Sequence, residues 1–587
     1  MVEPVYPQFL TVIRKEQVPF SNTPDIGPFP NTPDIGPFPI ELRMAAMKSS
    51  SSFLKTIRPS NLLKRVVSTS PTPQTNAEAH AFIMQGDRAA TCPFRHTLDV
   101  ENIWRHNAQT EEITSSSCTT KSFEEIPGPK GLPIVGTLFD YFKKDGLRFN
   151  RMHEAYKKRA IEHGPIYKEQ IATISTVVIS DPEEYSKVIR AEGKYPERRE
   201  MEPIAHYRRT KNLDLGLVND QGENWYKLRT VTAPKMLKMK EVQDFCGPMN
   251  EVGDDFVTHL AHCRQQNHEV MGLEKELFKW AFESIGTFLF EERIGCFSKP
   301  TPGKAQDFID HLQEYFKYLQ PLMFNVPLYK IYPTKLWKKF EYHSDNVFRL
   351  GRYFINKKVA ELEEQRSSIS SESSSTDGEA ERVPFLTYML SQESLTTDDA
   401  LSTAVDLLAA ATETNPEAQQ RLYEETRAVL GDSTEINAQN LGKLTYVKAV
   451  LKESLRKYPI TWATSRITQE DIEVCGHNIP AGTHIQANLY GMFQDEKLFP
   501  DNDSFKPERW LRENKMDQTL KSLSSLIWGH GARMCIGRRF AEQEIHIILT
   551  KIVQNFRLQY DREPVEATLN TVMTPDRPMV IKFVPRS

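Results

Sequence analysis

The sequence predicts a mainly helical domain that carries several small β-sheets. After residue 137 apolar residues recur at three- and four-residue spacing, the period of an amphipathic helix. Short β-patterned stretches interrupt this near 166–180, near 471–489 and toward the C-terminus. One glycine-flanked cysteine, Cys535, stands in a turn that leads straight into a helical pattern. The chain has 587 residues with 74 Lys and Arg against 78 Asp and Glu, a net charge of −4. That balance gives no global cationic field and argues against a nucleic-acid partner. The seven cysteines are scattered at 92, 118, 246, 263, 296, 475 and 535 without a C-x-x-C pair. A disulfide-stapled scaffold and a zinc module are therefore not expected. No run approaches the roughly 18 apolar residues that a transmembrane helix needs.

The first element is unusual. Residues 22–30, NTPDIGPFP, recur letter for letter as residues 31–39. Three prolines per unit oppose a helix, and two units are too few for a solenoid. Residues 1–43 therefore read as a disordered extension. From Leu42 to Ala77 there is no Asp or Glu. Arg43, Lys48, Lys55, Arg58, Lys64 and Arg65 are spread through a serine run and a stripe that includes Phe53, Leu54, Ile57, Leu62 and Leu63. A basic, serine-rich, acid-free amphipathic stretch is the pattern of a mitochondrial transit peptide, here residues 44–77. Residues 78–122 show no periodicity and read as linker.

The domain, residues 123–587, opens on FEEIPGPKGLPIVGT, whose prolines fix φ and whose glycines allow tight bends. Residues 366–382 are serine-rich and read as an exposed loop. A long central helix is expected to start near Thr397, where Thr and Asp suit a helix beginning.

The chemistry concentrates in WGHGARMCIGRRFAE, Trp528 to Glu542. Glycines around Cys535 let the backbone approach a partner closely. Turn amides and the following helix N-terminus point positive ends at the sulfur and favour a thiolate. Arg533 is placed to pair with a carboxylate on a cofactor. The segment resembles the F-G-x-G-x-R-x-C-x-G haem signature of cytochrome P450 enzymes, with Trp528 in the phenylalanine position. Other motifs agree in order. Glu453 and Arg456 form E-x-x-R, and Arg509 lies in FKPERW. The resemblance implies that these three make a buried ionic triad. Trp225 and Arg229, W-x-x-x-R, resemble the helix that holds a haem propionate. The resemblance covers about residues 123–587. It implies the P450 fold, haem b with Cys535 as its axial thiolate ligand, and oxygen insertion into C–H bonds using O2.

The leader points to the mitochondrial type of the family, which takes electrons from a small acidic [2Fe–2S] ferredoxin. Lys448 and Lys452 share one helix face, and Arg538 and Arg539 follow the cysteine. Their likeness to the docking face of mitochondrial members implies a ferredoxin site there. Tyr318 to Phe340, aromatic and apolar with lysines, resembles the loop by which these enzymes touch the inner membrane from the matrix side. GTFLFEERIGC, residues 286–296, resembles the sterol and vitamin D hydroxylase group, so a sterol, secosteroid or similar lipophilic substrate is expected.

Ala410 to Thr414, AATET, resembles the family's oxygen-activation motif, with Glu413 and Thr414 in the proton-relay positions. Family members continue this helix for several turns before an N-P-E boundary. Here Asn415-Pro416-Glu417 follows at once. Roughly 14 residues are absent by comparison, about 20 Å of helix at 1.5 Å per residue. Two alternatives to a monooxygenase therefore stay open: an impaired haem-binding splice variant or mis-assembled chain, and a reductase-independent haem-thiolate isomerase.

Overall fold

The structure is a computed structural model that describes residues 120–143, 146–290, 292–324, 326–369, 416–514, 523, 526–570 and 572–586. The extension, the leader, most of the linker, Glu413, Thr414 and the helix expected near Thr397 lie outside the described residues.

The principal helices follow the apolar period. They are α1 (Met152–His163), α2 (Gly222–Leu237), α3 (Cys246–Cys263), α4 (Leu273–Phe290), α5 (Gly303–Phe324), α6 (Lys335–Ile369), α7 (Pro416–Leu430), α8 (Thr445–Lys457) and α9 (Arg538–Asn555). Helix α7 carries Pro416 in its first described turn, where helix amides have no intrahelical partner and the missing N–H costs little. Helix α9 shows why a central helix needs little amphipathicity. Phe540, Ala541 and every residue from Gln543 to Val553 are buried. It packs against α2, α3, α7 and α8 at once.

Among the described residues, four small sheets flank the helices. Strands β1 (Ile166–Ile171), β2 (Ile174–Ile179), β4 (Thr464–Ile467) and β7 (His484–Ala487) form one sheet in the order β1-β2-β7-β4. Only the β2–β7 pair is parallel. Strands β5 (Ile472–Val474) and β6 (His477–Ile479) form a hairpin, as do β9 (Ala567–Asn570) and β10 (Val572–Pro575). Strand β11 (Ile581–Pro585) lies between β3 (Glu269–Val270) and β8 (Phe556–Gln559).

The hinge is pinned rather than loose. The Lys168 amide donates to the Pro127 carbonyl (2.8 Å) and the Thr137 amide to the Gln170 carbonyl (2.8 Å). A Cβ on Gly128 would stand 2.0 Å from the Lys168 carbonyl oxygen, so only glycine lets the hinge lie on β1. Before it, Lys121 exchanges backbone hydrogen bonds with Gly476 and Asn478 of the β5–β6 hairpin.

Two expectations need correction. The serine-rich stretch is not loop from its start, because α6 continues through Arg366 to Ile369. The apolar stretch Tyr318–Phe340 is not one interfacial surface. Leu319, Leu322, Tyr329 and Trp337 are buried core, with Tyr329 stacked on Trp337 at 4.6 Å. Only its tip faces outward, with Val326, Leu328, Ile331 and Tyr332 each more than half exposed. No helix among the described residues is long and apolar enough to cross a membrane.

Candidate haem-thiolate site

The cysteine loop is shaped by positive φ at Gly529 (+79°) and Gly531 (+69°), the left-handed region that side chains disfavour. These turns bring the Cys535 amide back onto the Trp528 carbonyl at 2.6 Å. Trp528 is buried in the main core, so the larger ring fills the position without being expelled. Gly537 caps α9 two residues after Cys535. Cys535 is partly exposed and makes no disulfide.

Guanidinium groups surround this loop. Arg533 is buried, donates through Nε to the Pro196 carbonyl (2.9 Å) and through Nη2 to the Asp220 carbonyl (2.9 Å) and Gln221 Oε1 (2.7 Å). Its guanidinium lies 3.9 Å from the Trp225 ring centroid. Burial, then the charges of Arg198, Arg466 and Arg229, push it down to about 9. Arg229 is pushed down to about 10 by burial, against the favourable pull of the Cys535 sulfur. Arg198 Nη2 donates to the Arg533 carbonyl (2.6 Å), and Arg466 Nη2 to the His530 carbonyl (2.8 Å). Arg466 is ion-paired with Glu192.

This donor set suits haem b. Arg229 Nε and Arg533 Nη1 are buried without a hydrogen-bond partner among the described residues. Arg198, Arg229, Arg466 and Arg533 outnumber the carboxylates beside them, Glu192 and Asp220, and buried guanidinium groups need anionic partners. Two carboxylates on a cofactor seated over Cys535 would supply them. Arg198 and Arg466 escaped sequence reading, because YPERRE and TSRIT carry no periodic or motif signal on their own. Trp225 and Arg229 are both buried on α2.

The triad residues meet. Glu453 and Arg456 are both fully buried and 2.9 Å apart, and Arg509 Nε reaches Glu453 at 3.2 Å. Trp510 Nε1 (2.8 Å) and the Lys506 amide (2.9 Å) also donate to this carboxylate, two partners that the motif alone did not reveal.

The cations singled out for docking are unequal. Lys452 is exposed on α8. Lys448 is half-buried and donates to the Gly442 carbonyl at 2.8 Å. Arg538 is paired along α9 with Glu542 at 3.0 Å, while Arg539 is partly exposed. The two lysines belong beside α9: burial, then the charges of Lys448 and Lys452, push the imidazole of His546 down to about 3. The four cations thus gather around the α8–α9 contact.

Comparison with known proteins agrees with this geometry. The family described as Cytochrome P450 matches residues 126–583. Cytochrome P450 10 of Lymnaea stagnalis is 49% identical over 563 residues, covering 92% of this chain and 100% of that protein. The mitochondrial 1,25-dihydroxyvitamin D(3) 24-hydroxylase of Mus musculus is 29% identical, covering 80% and 90%. The mitochondrial cholesterol side-chain cleavage enzyme of Oncorhynchus mykiss is 29% identical, covering 82% and 95%. With the family match spanning the domain and a buried cationic cradle beside Cys535, the chain belongs to the cytochrome P450 family of haem-thiolate monooxygenases.

Proposed function

We propose that this chain is a mitochondrial monooxygenase that hydroxylates a sterol-like or other lipophilic substrate with electrons from a [2Fe–2S] ferredoxin. The observation that carries the reading is the cradle of buried guanidinium groups around the Cys535 loop. Haem b bound there would supply the O2-activating chemistry of a thiolate-held iron. Cys535 would hold the haem iron, and Arg229 and Arg533 would neutralise the cofactor carboxylates. Glu413 and Thr414 pass protons toward the oxygen site. Buried Glu453 and Arg456, with the partly exposed Arg509, fix α8 against the segment 500–510.

Lys452, with Arg539 and the less exposed Lys448 and Arg538, steers the acidic donor. The leader pattern and relatives whose names include mitochondrial sterol 26-hydroxylase support location on the matrix side of the inner membrane. The outward tip Val326–Tyr332 supports peripheral membrane contact and uptake of lipophilic substrate. Reconstitution with NADPH, ferredoxin reductase and ferredoxin against a panel of sterols and secosteroids tests this. Product formation that requires ferredoxin is expected, and turnover independent of it refutes the reading in favour of an isomerase.

A second reading rests on the chain order. Thr414 is followed at once by Asn415 and by Pro416, which already heads α7. A chain translated in this form would have low haem occupancy and little activity. Restoring about four helical turns after Thr414 should then raise both haem content and turnover. Equal values for the two forms would exclude this reading.

A further inference from the structure

Outside the cysteine loop, α3 and α4 bring together three side chains with metal-ligand chemistry. His259 and Cys263 are one turn apart near the end of α3, and Glu276 faces them from the first turn of α4. We propose that His259 Nε2, Cys263 Sγ and Glu276 Oε2 form a binding site for a divalent zinc-type cation. The cluster escapes a search for C-x-x-C, because its ligands are an i, i+4 pair on one helix and a carboxylate on the next.

The distances allow it. All three ligand atoms lie within 4.8 Å of one another. Cys263 Sγ is 3.4 Å from His259 Nε2. Tetrahedral bonds of about 2.1 Å to nitrogen and 2.3 Å to sulfur separate such atoms by about 3.6 Å, so this edge is already formed. His259 Nε2 and Glu276 Oε2 are 2.6 Å apart and hydrogen-bonded. They need open by only about 0.8 Å to reach the roughly 3.4 Å of a shared metal.

The surroundings also fit. The His259 ring is held beside Phe297 at 5.2 Å and is itself buried. Lys279 Nζ holds both Glu276 oxygens, Oε2 at 3.1 Å and Oε1 at 3.4 Å, so metal binding requires it to release Oε2 while its bond to Oε1 persists. An open cleft of ≈ 700 Å³ lined by Asp255, Thr258 and His262 reaches the site at His259, so a cation can approach from that side. Imidazole, thiolate and carboxylate together suit zinc better than magnesium or calcium. On binding, the Cys263 thiol and the hydrogen-bonded His259–Glu276 pair release their protons to solvent.

The test uses the haem-loaded full-length protein, stripped of loosely held metal and titrated with Zn2+ against a fluorescent zinc indicator. One Zn2+ per chain is expected, bound with micromolar affinity or tighter. Cys263→Ser and His259→Gln should each weaken it tenfold or more, whereas His343→Gln, in the separate His311–His343 pair (3.0 Å), should not. Circular dichroism checks that each variant is folded. A variant-free measurement accompanies this: Zn2+ should protect Cys263 of the wild-type protein from alkylation, read by mass spectrometry. Absence of stoichiometric zinc, unchanged affinity in folded variants, or unprotected Cys263 would overturn the assignment.

Discussion

Replacing Glu453 by Gln should be among the most damaging isosteric changes in the domain. The carboxylate is fully buried and accepts from Arg456 Nε (3.0 Å) and Nη2 (2.9 Å), Arg509 Nε (3.2 Å), Trp510 Nε1 (2.8 Å) and the Lys506 amide (2.9 Å). An amide NH2 would face some of these donors, and Arg456, itself without exposure, would lose the counter-charge of its ion pair. Breaking a buried ion pair on one side costs about 3–5 kcal/mol. Arg509→Ala should cost less, about 1–2 kcal/mol, because this side chain is partly exposed and Glu453 keeps its other donors. An unfolding entropy of about 2.1 cal/mol/K per residue over roughly 450 residues gives close to 1 kcal/mol per degree. Glu453→Gln should then lower Tm by about 3–5 °C and Arg509→Ala by about 1–2 °C. Scanning calorimetry of haem-loaded protein measures both at one scan rate, since unfolding of a chain this size can be irreversible. A Tm drop for Arg509→Ala that equals or exceeds that for Glu453→Gln would refute the reasoning from burial.

Three further outcomes are expected. Cys535→Ser should abolish the red-shifted carbon monoxide spectrum of the reduced protein, because a neutral hydroxyl is a poor replacement for a thiolate; a retained spectrum would place the ligand elsewhere. Lys452→Glu should weaken ferredoxin binding and flatten its salt dependence more than Lys448→Glu, since Lys448 is half-buried on a carbonyl, with haem content unchanged in both. Surface plasmon resonance at two ionic strengths reads this, and equal effects would contradict the geometry. Burial pushes Glu544 up to about 8, so folding keeps it protonated where the unfolded chain ionises above about 4.5. The folded state then binds more protons, and this group costs stability as pH rises, about 1.4 kcal/mol per pH unit up to its folded value. His546, two residues along α9 and pushed down to about 3, has the opposite slope below its unfolded pKa near 6.5. The test therefore belongs between pH 6.5 and 8, where urea midpoints for Glu544→Gln should fall less than those of the wild type; parallel midpoints would contradict it.

Much of the site was readable because its parts are local. The Cys535 loop, E-x-x-R and W-x-x-x-R each lie within a turn or a helix face, so spacing encodes their geometry. What spacing cannot encode is which distant backbone a side chain will reach. Arg198 and Arg466 converge on the cysteine loop from segments more than 60 residues away in sequence. The β3 and β4 strands were missed for a similar reason, since strands this short carry too few alternations to register. Tyr318–Phe340 misled because core and surface apolar residues look alike in composition. Burial separates its two populations only once α5 and α6 pack together.

The position of β11 has a consequence for synthesis. It is the last strand of the chain, yet it lies in the middle of its sheet, paired on one side with β3 and on the other with β8. A ribosome adding about 10 residues per second needs about half a minute between releasing Glu269 and releasing Ile581. Through that interval β3 has no partner in this sheet, and β8, made only about 2 seconds before Ile581, then adds an exposed edge on which chaperones can act. Loss of Ile581–Pro585 would leave the sheet without its centre strand, so β11 sets when this sheet can be completed.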